Sequence, residues 1–507
     1  MLTAKLREYQ VLAFMFFLIV LSKVTGFGKD LLLSYYHGAT SVTDAYFIAS
    51  SIASLSYAAL YMAIPVVVVP YVVRLIGNDS LTNGRINVLP ILQSFIIISI
   101  AISALVFIGA EYIVNSLFPD TGAETKQYVY DFVRIIALTF ILSTVVAIYN
   151  AVQVVKKKRV SSLIVPIVNN GAFIIAIFIF RAANDFIYVL LAGVFAWVLL
   201  LVLNYIITKN DVSYDYSMEL PLFNDRKLLL VFLPAFFVFY VEQFNSYVSV
   251  FFASGLESGA VSFLSYANKV SLLLVSLFIV FLNIYAFPKL ADKYLQAEKE
   301  MNDFLTEIIR LIAIFCFPIV FVLFGFSEQV ITMLFGRGQL TTSDVAAVAT
   351  VFQVLVISLP LLLLRDLLNR AIFAHDNASL SLMALVVSVI IHIVVVKYYM
   401  ISYGLYGIAA GVVVSAFINC ILLIAFLRLF FNIKLIKNSL KTIFICLSLL
   451  VALKFLSSWC FANASLDWRV EGAILVVSYF CCLYTLKEEQ FRNIISSIAL
   501  SDVREPK

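Results

Sequence analysis

Apolar stretches of 18 or more residues recur from the N-terminus to Tyr484, broken by short polar turns. Each is long enough to cross the ~30 Å hydrocarbon core of a bilayer as a helix. The pattern predicts fourteen helices, at 10–36, 44–74, 87–117, 127–154, 161–181, 185–208, 227–254, 261–289, 303–327, 344–374, 379–402, 404–432, 439–458 and 469–485. The longest polar stretch, Lys209 to Lys227, separates six helices from the next six, and Asn432 to Lys441 separates those from a final pair. The expected fold is therefore an all-α integral membrane protein of about fourteen transmembrane helices. It divides into an N-lobe (1–226), a C-lobe (227–437) and a closing helix pair with a cytoplasmic tail (438–507). A short internal echo, Gly38-Ala-Thr-Ser-Val-Thr-Asp44-Ala-Tyr-Phe47 against Gly255-Leu-Glu-Ser-Gly-Ala-Val261-Ser-Phe-Leu264, fits two related six-helix halves.

Lysine and arginine test this segmentation, because loops kept in the cytoplasm hold an excess of them. Alternate loops, starting from the N-terminal side, carry 22 basic residues and the opposite loops 5, which leaves 8 of the 35 within helices. That asymmetry predicts an even number of crossings with both termini cytoplasmic. Of the 507 residues, 63% are apolar and 13% charged, against about half and a quarter in soluble proteins, and no soluble domain fits between the helices. The charged start, Met1 to Gln10, leads into an apolar run without a small-residue cleavage site, so it reads as a first spanning helix. Six cysteines lie in or beside apolar segments without metal-ligand spacing and read as small core residues. No metal site or cofactor is expected. Basic residues follow topology and form no aromatic-interleaved patch, which argues against nucleic-acid binding. Short loops without paired carboxylates or a His-rich motif argue against an enzyme.

The eight intramembrane basic residues are Lys23, Lys29, Arg134, Lys269, Arg310, Arg365, Arg370 and Lys454. Arg310 and Arg370 sit near helix ends and can snorkel, while Arg134 and Arg365 have Asp131 and Asp366 close by. Lys23, Lys29 and Lys269 are harder to place. Their depths overlap if helices 1 and 8 run in opposite directions, which suggests a basic cavity. An ion-pair network with Asp30 and Asp44 is the alternative. Lys23 and Lys29 are six residues apart, about 120° from a shared face on a straight helix. Gly26 and Gly28 between them permit bending or close helix approach, and Pro65 and Pro70 predict an irregular second helix. Lysine suits a phosphate as a compact charge. Glu242 and His392, both within helices, are candidate coupling residues. For each, pairing or core packing is the competing reading.

These residues resemble a known family. Ser22-Lys-Val-Thr-Gly-Phe-Gly-Lys-Asp30, with Gly38-Ala39 and Thr43-Asp-Ala-Tyr-Phe47, is similar to the start of the MurJ (MviN) lipid II flippases, in the multidrug/oligosaccharidyl-lipid/polysaccharide exporter superfamily. Ser265-Tyr-Ala-Asn-Lys269, Leu334-Phe-Gly-Arg-Gly338 and Tyr403-Gly-Leu-Tyr-Gly-Ile-Ala409 continue the resemblance in order. It implies an alternating-access transporter with two six-helix lobes around a cationic cavity that binds a lipid diphosphate. Lys23, Lys29 and Lys269 match positions typically arginine in the family, and Asp44 matches its helix 2 aspartate. The last two helices resemble the pair that forms a groove for the lipid tail. The family's further basic position in helix 2 reads Tyr57 here, and its following Glu-Gly-Ala reads Met62-Ala63-Ile64. The residues that form a sodium site in some members do not occur around His392 to Val396.

The leading expectation is an inner-membrane flippase for an undecaprenyl-diphosphate-linked saccharide. The cargo is lipid II for peptidoglycan or an O-antigen or capsule repeat unit, and the departures above lean toward a different sugar. Membrane potential, H+ or Na+ are the candidate energy sources, and a monomer is expected among membrane lipids. An ion-coupled multidrug exporter is the second class, disfavoured by three cationic cavity residues. A membrane-embedded polymerase or glycosyltransferase is the third.

Overall fold

The computed structural model describes residues 2–77, 85–158, 160–182, 185–215, 220–294, 298–375, 377–433, 436–460 and 467–485. The expected cytoplasmic tail beyond residue 485, with Lys487, Arg492, Arg504 and Lys507, lies outside them. So does Arg159.

One compact unit comprises Met1–Lys269 with Arg337–Asp344. It contains α1 (Leu2–His37), α2 (Ser41–Ala53), α3 (Ala59–Gly77), α4 (Leu89–Ile108), α5 (Ala110–Leu117), α6 (Ala123–Ala137), α7 (Thr139–Val155), α8 (Val160–Ile179), α9 (Phe186–Thr208), the short α10 (Pro221–Asn224), α11 (Arg226–Ser254) and the start of α12 (Ala260–Tyr294). The second unit, Val270–Gly336 and Val345–Lys507, holds the rest of α12, α13 (Glu298–Gly325), α14 (Ser327–Phe335), most of α15 (Thr342–Leu355), α16 (Ser358–Ala374), α17 (Ala378–Tyr403), α18 (Leu405–Phe431), α19 (Ile436–Cys460) and α20 (Trp468–Thr485). By packing, α11 belongs with the first unit, against α2 and α3.

Each of the fourteen predicted segments is helical. Among the described residues ten helices are long and apolar enough to cross a membrane, or eleven if the bent pair α15–α16 counts as one span. Every 18-residue window in the described side chains of α1 contains Lys23, Lys29 and Asp30, which sets that helix apart on charge.

Four predicted helices are irregular, among them 127–154, which breaks at Leu138 between α6 and α7. The segment predicted as 344–374 bends by 43° between α15 and α16. Pro360 has no N–H to give the Val356 carbonyl, which accepts instead from the Leu359 N–H at 3.2 Å. The 87–117 segment breaks at Gly109. The second predicted helix stays helical through Pro65 and Pro70 and takes up its irregularity earlier, as a π-turn at Ser54–Ala58. By contrast α1 runs unbroken through Gly26 and Gly28.

Large apolar side chains face outward, while small polar ones are set into an otherwise apolar interior. Ile108, Phe195 and Ile401 are exposed, whereas Ser94, Ser103, Thr144, Asn204 and Asn419 are buried. Two of the buried hydroxyls find backbone carbonyls: Ser94 donates to that of Pro90 at 3.0 Å and Ser103 to that of Ala137 at 2.7 Å. Close backbone approach does the rest, as expected where lipid is as apolar as the side chains. Gly407 and Gly411 on α18 face α17, where a Cβ at Gly407 would fall 2.6 Å from the Met400 nitrogen. In the first unit the stretch between α9 and α11 is fastened down, since Val212–Ser213 pairs in parallel with Ile86–Asn87 and Asn87 donates to the Asp215 carbonyl at 2.9 Å. Of the cysteines, Cys316, Cys420 and Cys446 are buried as expected, while Cys481 is exposed on α20.

Candidate functional site

Lys29 is closely enclosed within the first unit. Its side chain is 14% exposed and that of Asp30 5%. The ammonium donates to the Tyr46 hydroxyl at 3.1 Å, lies 3.5 Å from Asp30 Oδ1, and sits 5.6 and 5.4 Å from the ring centres of Tyr46 and Phe173. A lysine at a helix centre costs roughly 2.5–3.5 kcal/mol on an insertion scale. The adjacent carboxylate and two ring faces, each contributing about 0.5–2 kcal/mol, offset this. Tyr46 comes from α2 and Phe173 from α8. Gly26 allows α8 to come so near, because a Cβ there would lie 3.2 Å from the Asn170 side-chain nitrogen. At Gly28 nothing lies within 4 Å, so that glycine answers no contact.

A second cluster lies one turn from the start of α2. Asp44 is buried, and its carboxylate accepts from the Gly259 N–H at 2.7 Å, the Ser262 N–H at 2.8 Å and the Ser262 hydroxyl at 2.6 Å. Those N–H groups open α12, where a carboxylate meets both unpaired donors and the positive end of the helix dipole. Ser262 also donates to Thr43 at 2.9 Å, and Tyr266 donates to the Gly38 carbonyl at 2.7 Å. The two echo segments seen in the sequence thus touch. Gly38 (φ +63) and Gly259 (φ +92) take left-handed backbone that other residues adopt with strain. The 337–344 segment closes the same end, with the Gln339 N–H donating to the Tyr35 carbonyl at 3.0 Å.

The other expected residues are placed differently. Lys23, on the same helix as Lys29, is exposed, as the 120° offset implies, and so are Lys269 on α12 and Glu242 on α11. His392 is fully buried in the second unit, and a Cβ at Gly411 would reach within 3.0 Å of its ring. Arg134 pairs with Glu111 at 2.8 Å as well as Asp131 at 3.7 Å, and Asp366 pairs with Arg370 at 3.2 Å. Tyr57, where the family resemblance expects a basic residue, is buried in the π-turn, stacked on Phe140 at 4.4 Å and hydrogen-bonded to Thr144. Among the described residues no three metal-ligating side chains cluster. Sequence reasoning missed Phe173, which nothing in its surroundings marks, and Ser262. For Ser262 the echo between the two loops was the available signal.

The profile of the family described as "Lipid II flippase MurJ" matches residues 33–476, most of the chain. This chain belongs to the MurJ family. Lys23, Lys29 and Asp30 lie just ahead of the matched stretch, so their reading rests on geometry. Curated relatives include the probable lipid II flippases MurJ of Aquifex aeolicus, 23% identical over 412 residues covering 78% of this chain and 79% of the relative, and of Thermotoga maritima, 24% identical with 83% and 86% covered. Among solved structures, lipid II flippase MurJ in an inward closed conformation superposes with a TM-score of 0.77 at 20% identity, covering 93% of this chain and 99% of that one. An inward-facing multidrug resistance transporter of the MATE family gives 0.61 at 13% identity, covering 79% and 92%. The fold is that of MurJ and of its exporter superfamily. It is a multi-pass membrane transporter fold.

Proposed function

We propose that this chain is a flippase that carries lipid II, an undecaprenyl-diphosphate-linked saccharide, from the cytoplasmic to the periplasmic leaflet of a bacterial inner membrane by alternating access. Membership of the MurJ family supports the cargo class. The observation that carries the reading is Lys29, a lysine enclosed among apolar helices with one hydrogen bond and one ion pair among the described residues. Its ammonium has three donors, so a diphosphate oxygen can replace or join Asp30. Lys23 and Lys269 are further contacts for the diphosphate, and Glu242 is a coupling residue. The excess of basic residues on alternate loops supports cytoplasmic termini, which puts the Asp44 cluster at the periplasmic end, where it holds that end shut. Tyr57 favours a second reading, a flippase dedicated to a surface-polysaccharide repeat unit, because it removes one positive charge from the helix 2 wall.

Complementation in bacteria depleted of their own lipid II flippase tests this. Rescue by the wild type, lost in Lys29→Ala at equal membrane level, is the expected result. A well-inserted wild type that fails to rescue would rule out lipid II and leave the repeat-unit reading, and rescue by Lys29→Ala would remove Lys29 from the site.

A further inference from the structure

A cavity of about 210 Å³, mostly apolar with a few polar groups in its wall, opens inside the first unit among α2, α6, α7, α8 and α9. Two of its walls, Tyr46 and Phe173, are the same rings that flank the Lys29 ammonium. The others used here are Ser50, Thr139, Asn169 and Trp197. Small polar side chains between membrane helices often serve packing; what singles this set out is its place beside the rings that flank Lys29. Among the described residues neither the Ser50 hydroxyl nor the Asn169 amide has a side-chain hydrogen bond within the protein, and Thr139, which donates to the Ile136 carbonyl at 2.7 Å, keeps its acceptor capacity.

The volume is below the about 300–1,000 Å³ of pockets that enclose a whole drug-sized ligand. It is on the scale of one hexose ring. The chemistry fits the same group: hydroxyl and amide partners for ring hydroxyls, and the indole of Trp197 with the Phe173 ring for the apolar C–H face of a sugar. A ring linked to a diphosphate would leave that diphosphate at Lys29, next to the cavity wall. We infer that this cavity is a sugar subsite, which receives the first saccharide ring of the lipid-linked cargo while Lys29 holds the adjoining phosphate. The inference rests on the proposed lipid-diphosphate cargo and assigns its specificity to residues that the basic cavity does not include. Gly193 fits this role too: a Cβ there would lie 2.7 Å from the Phe173 ring and would push that ring out of the position it shares with Lys29.

Binding of lipid II and of undecaprenyl diphosphate, the same carrier without sugar, to the purified full chain in nanodiscs decides the matter. Asn169→Leu and Ser50→Ala should each weaken lipid II about tenfold or less, the scale of one lost hydrogen bond, and leave undecaprenyl diphosphate unchanged. Lys29→Ala should weaken both. Ser50→Ala removes one oxygen and guards against a folding failure in Asn169→Leu. Parallel loss for both lipids, no change in either variant, or a wild type that binds the two lipids equally would overturn the sugar subsite. A wild type that binds neither lipid would instead overturn the lipid-diphosphate reading on which it stands.

Discussion

Two buried charges on neighbouring elements of the first unit are handled in opposite ways. Asp44 is saturated: three donors from one helix start converge on its two oxygens. Lys29 is under-supplied, with one hydroxyl, one carboxylate at 3.5 Å and two ring faces around three donors. A fully satisfied charge fixes a structure, because any alternative leaves buried donors unpaired. An incompletely satisfied one keeps donors that a ligand could take up, which is the basis of the role proposed for Lys29. The two are linked through α2, since Tyr46 lies two residues after Asp44 and its ring touches Phe47 and Phe186 at 5.2 and 5.6 Å. Opening the Asp44 cluster would therefore move a residue that holds Lys29.

The largest effect should come from breaking the saturated charge. Asp44→Ala strips acceptors from the Gly259 and Ser262 N–H groups and should cost about 3 kcal/mol, seen as a lowered unfolding temperature in nanodiscs together with lost transport. Asp44→Asn keeps one acceptor oxygen and should fall between. An unchanged unfolding temperature in Asp44→Ala would end the structural reading of this residue. Removing Lys29 together with its partner, as Lys29→Met with Asp30→Asn, should do the reverse. Taking away both charges of a buried pair is often neutral or stabilising, whereas Lys29→Met alone would strand the Asp30 carboxylate. In the double variant affinity for undecaprenyl diphosphate should drop at least about tenfold, the loss of one charge-assisted hydrogen bond. If the double variant destabilises as Asp44→Ala does, the contrast between the two charges collapses.

Much of this was legible in the sequence, and what was not has physical causes. Hydropathy placed the predicted segments on helical chain, because a chain in lipid must satisfy its backbone internally and helices are the local way to do so, while ten or eleven helices among the described residues pass as membrane spans. The breaks at Ser54–Ala58 and at Val356–Ile357 were less legible, since Pro65 and Pro70 looked the stronger signals and only the structure shows where the register slips. Lys29 stands out in the sequence by its charge, its depth and the family position it matches. Its cage does not, because Phe173 is one aromatic residue among many and its meaning depends on α1 packing against α8. Lys23 and Lys29 carried equal weight in the sequence, and the helix turn between them now separates an exposed lysine from an enclosed one. Asp44 was expected among the lysines. Its partners turn out to be the N–H groups of α12, a helix start more than two hundred residues away.

A smaller effect separates the hydrogen bond to Lys29 from its rings. Tyr46→Phe removes the hydroxyl and keeps the ring, so it should lower affinity for undecaprenyl diphosphate about fivefold, the equivalent of about 1 kcal/mol, with lipid II affected in the same ratio. No change would assign the cage to Asp30 and the ring faces alone. The smallest effect belongs to the second unit, where Lys454 pairs with Glu471 at 2.6 Å and lies 5.0 Å from the Phe326 ring centre. This pair has better geometry than Lys29 and Asp30, yet its side chains are 40% and 22% exposed. Solvent screening and the entropy of holding two long side chains leave such a pair about 0.5 kcal/mol. Lys454→Met should therefore shift the unfolding temperature slightly and leave lipid binding intact. A loss of lipid affinity in that variant would show that enclosure is the wrong criterion for ranking the lysines of this chain, and that distance to a carboxylate should replace it.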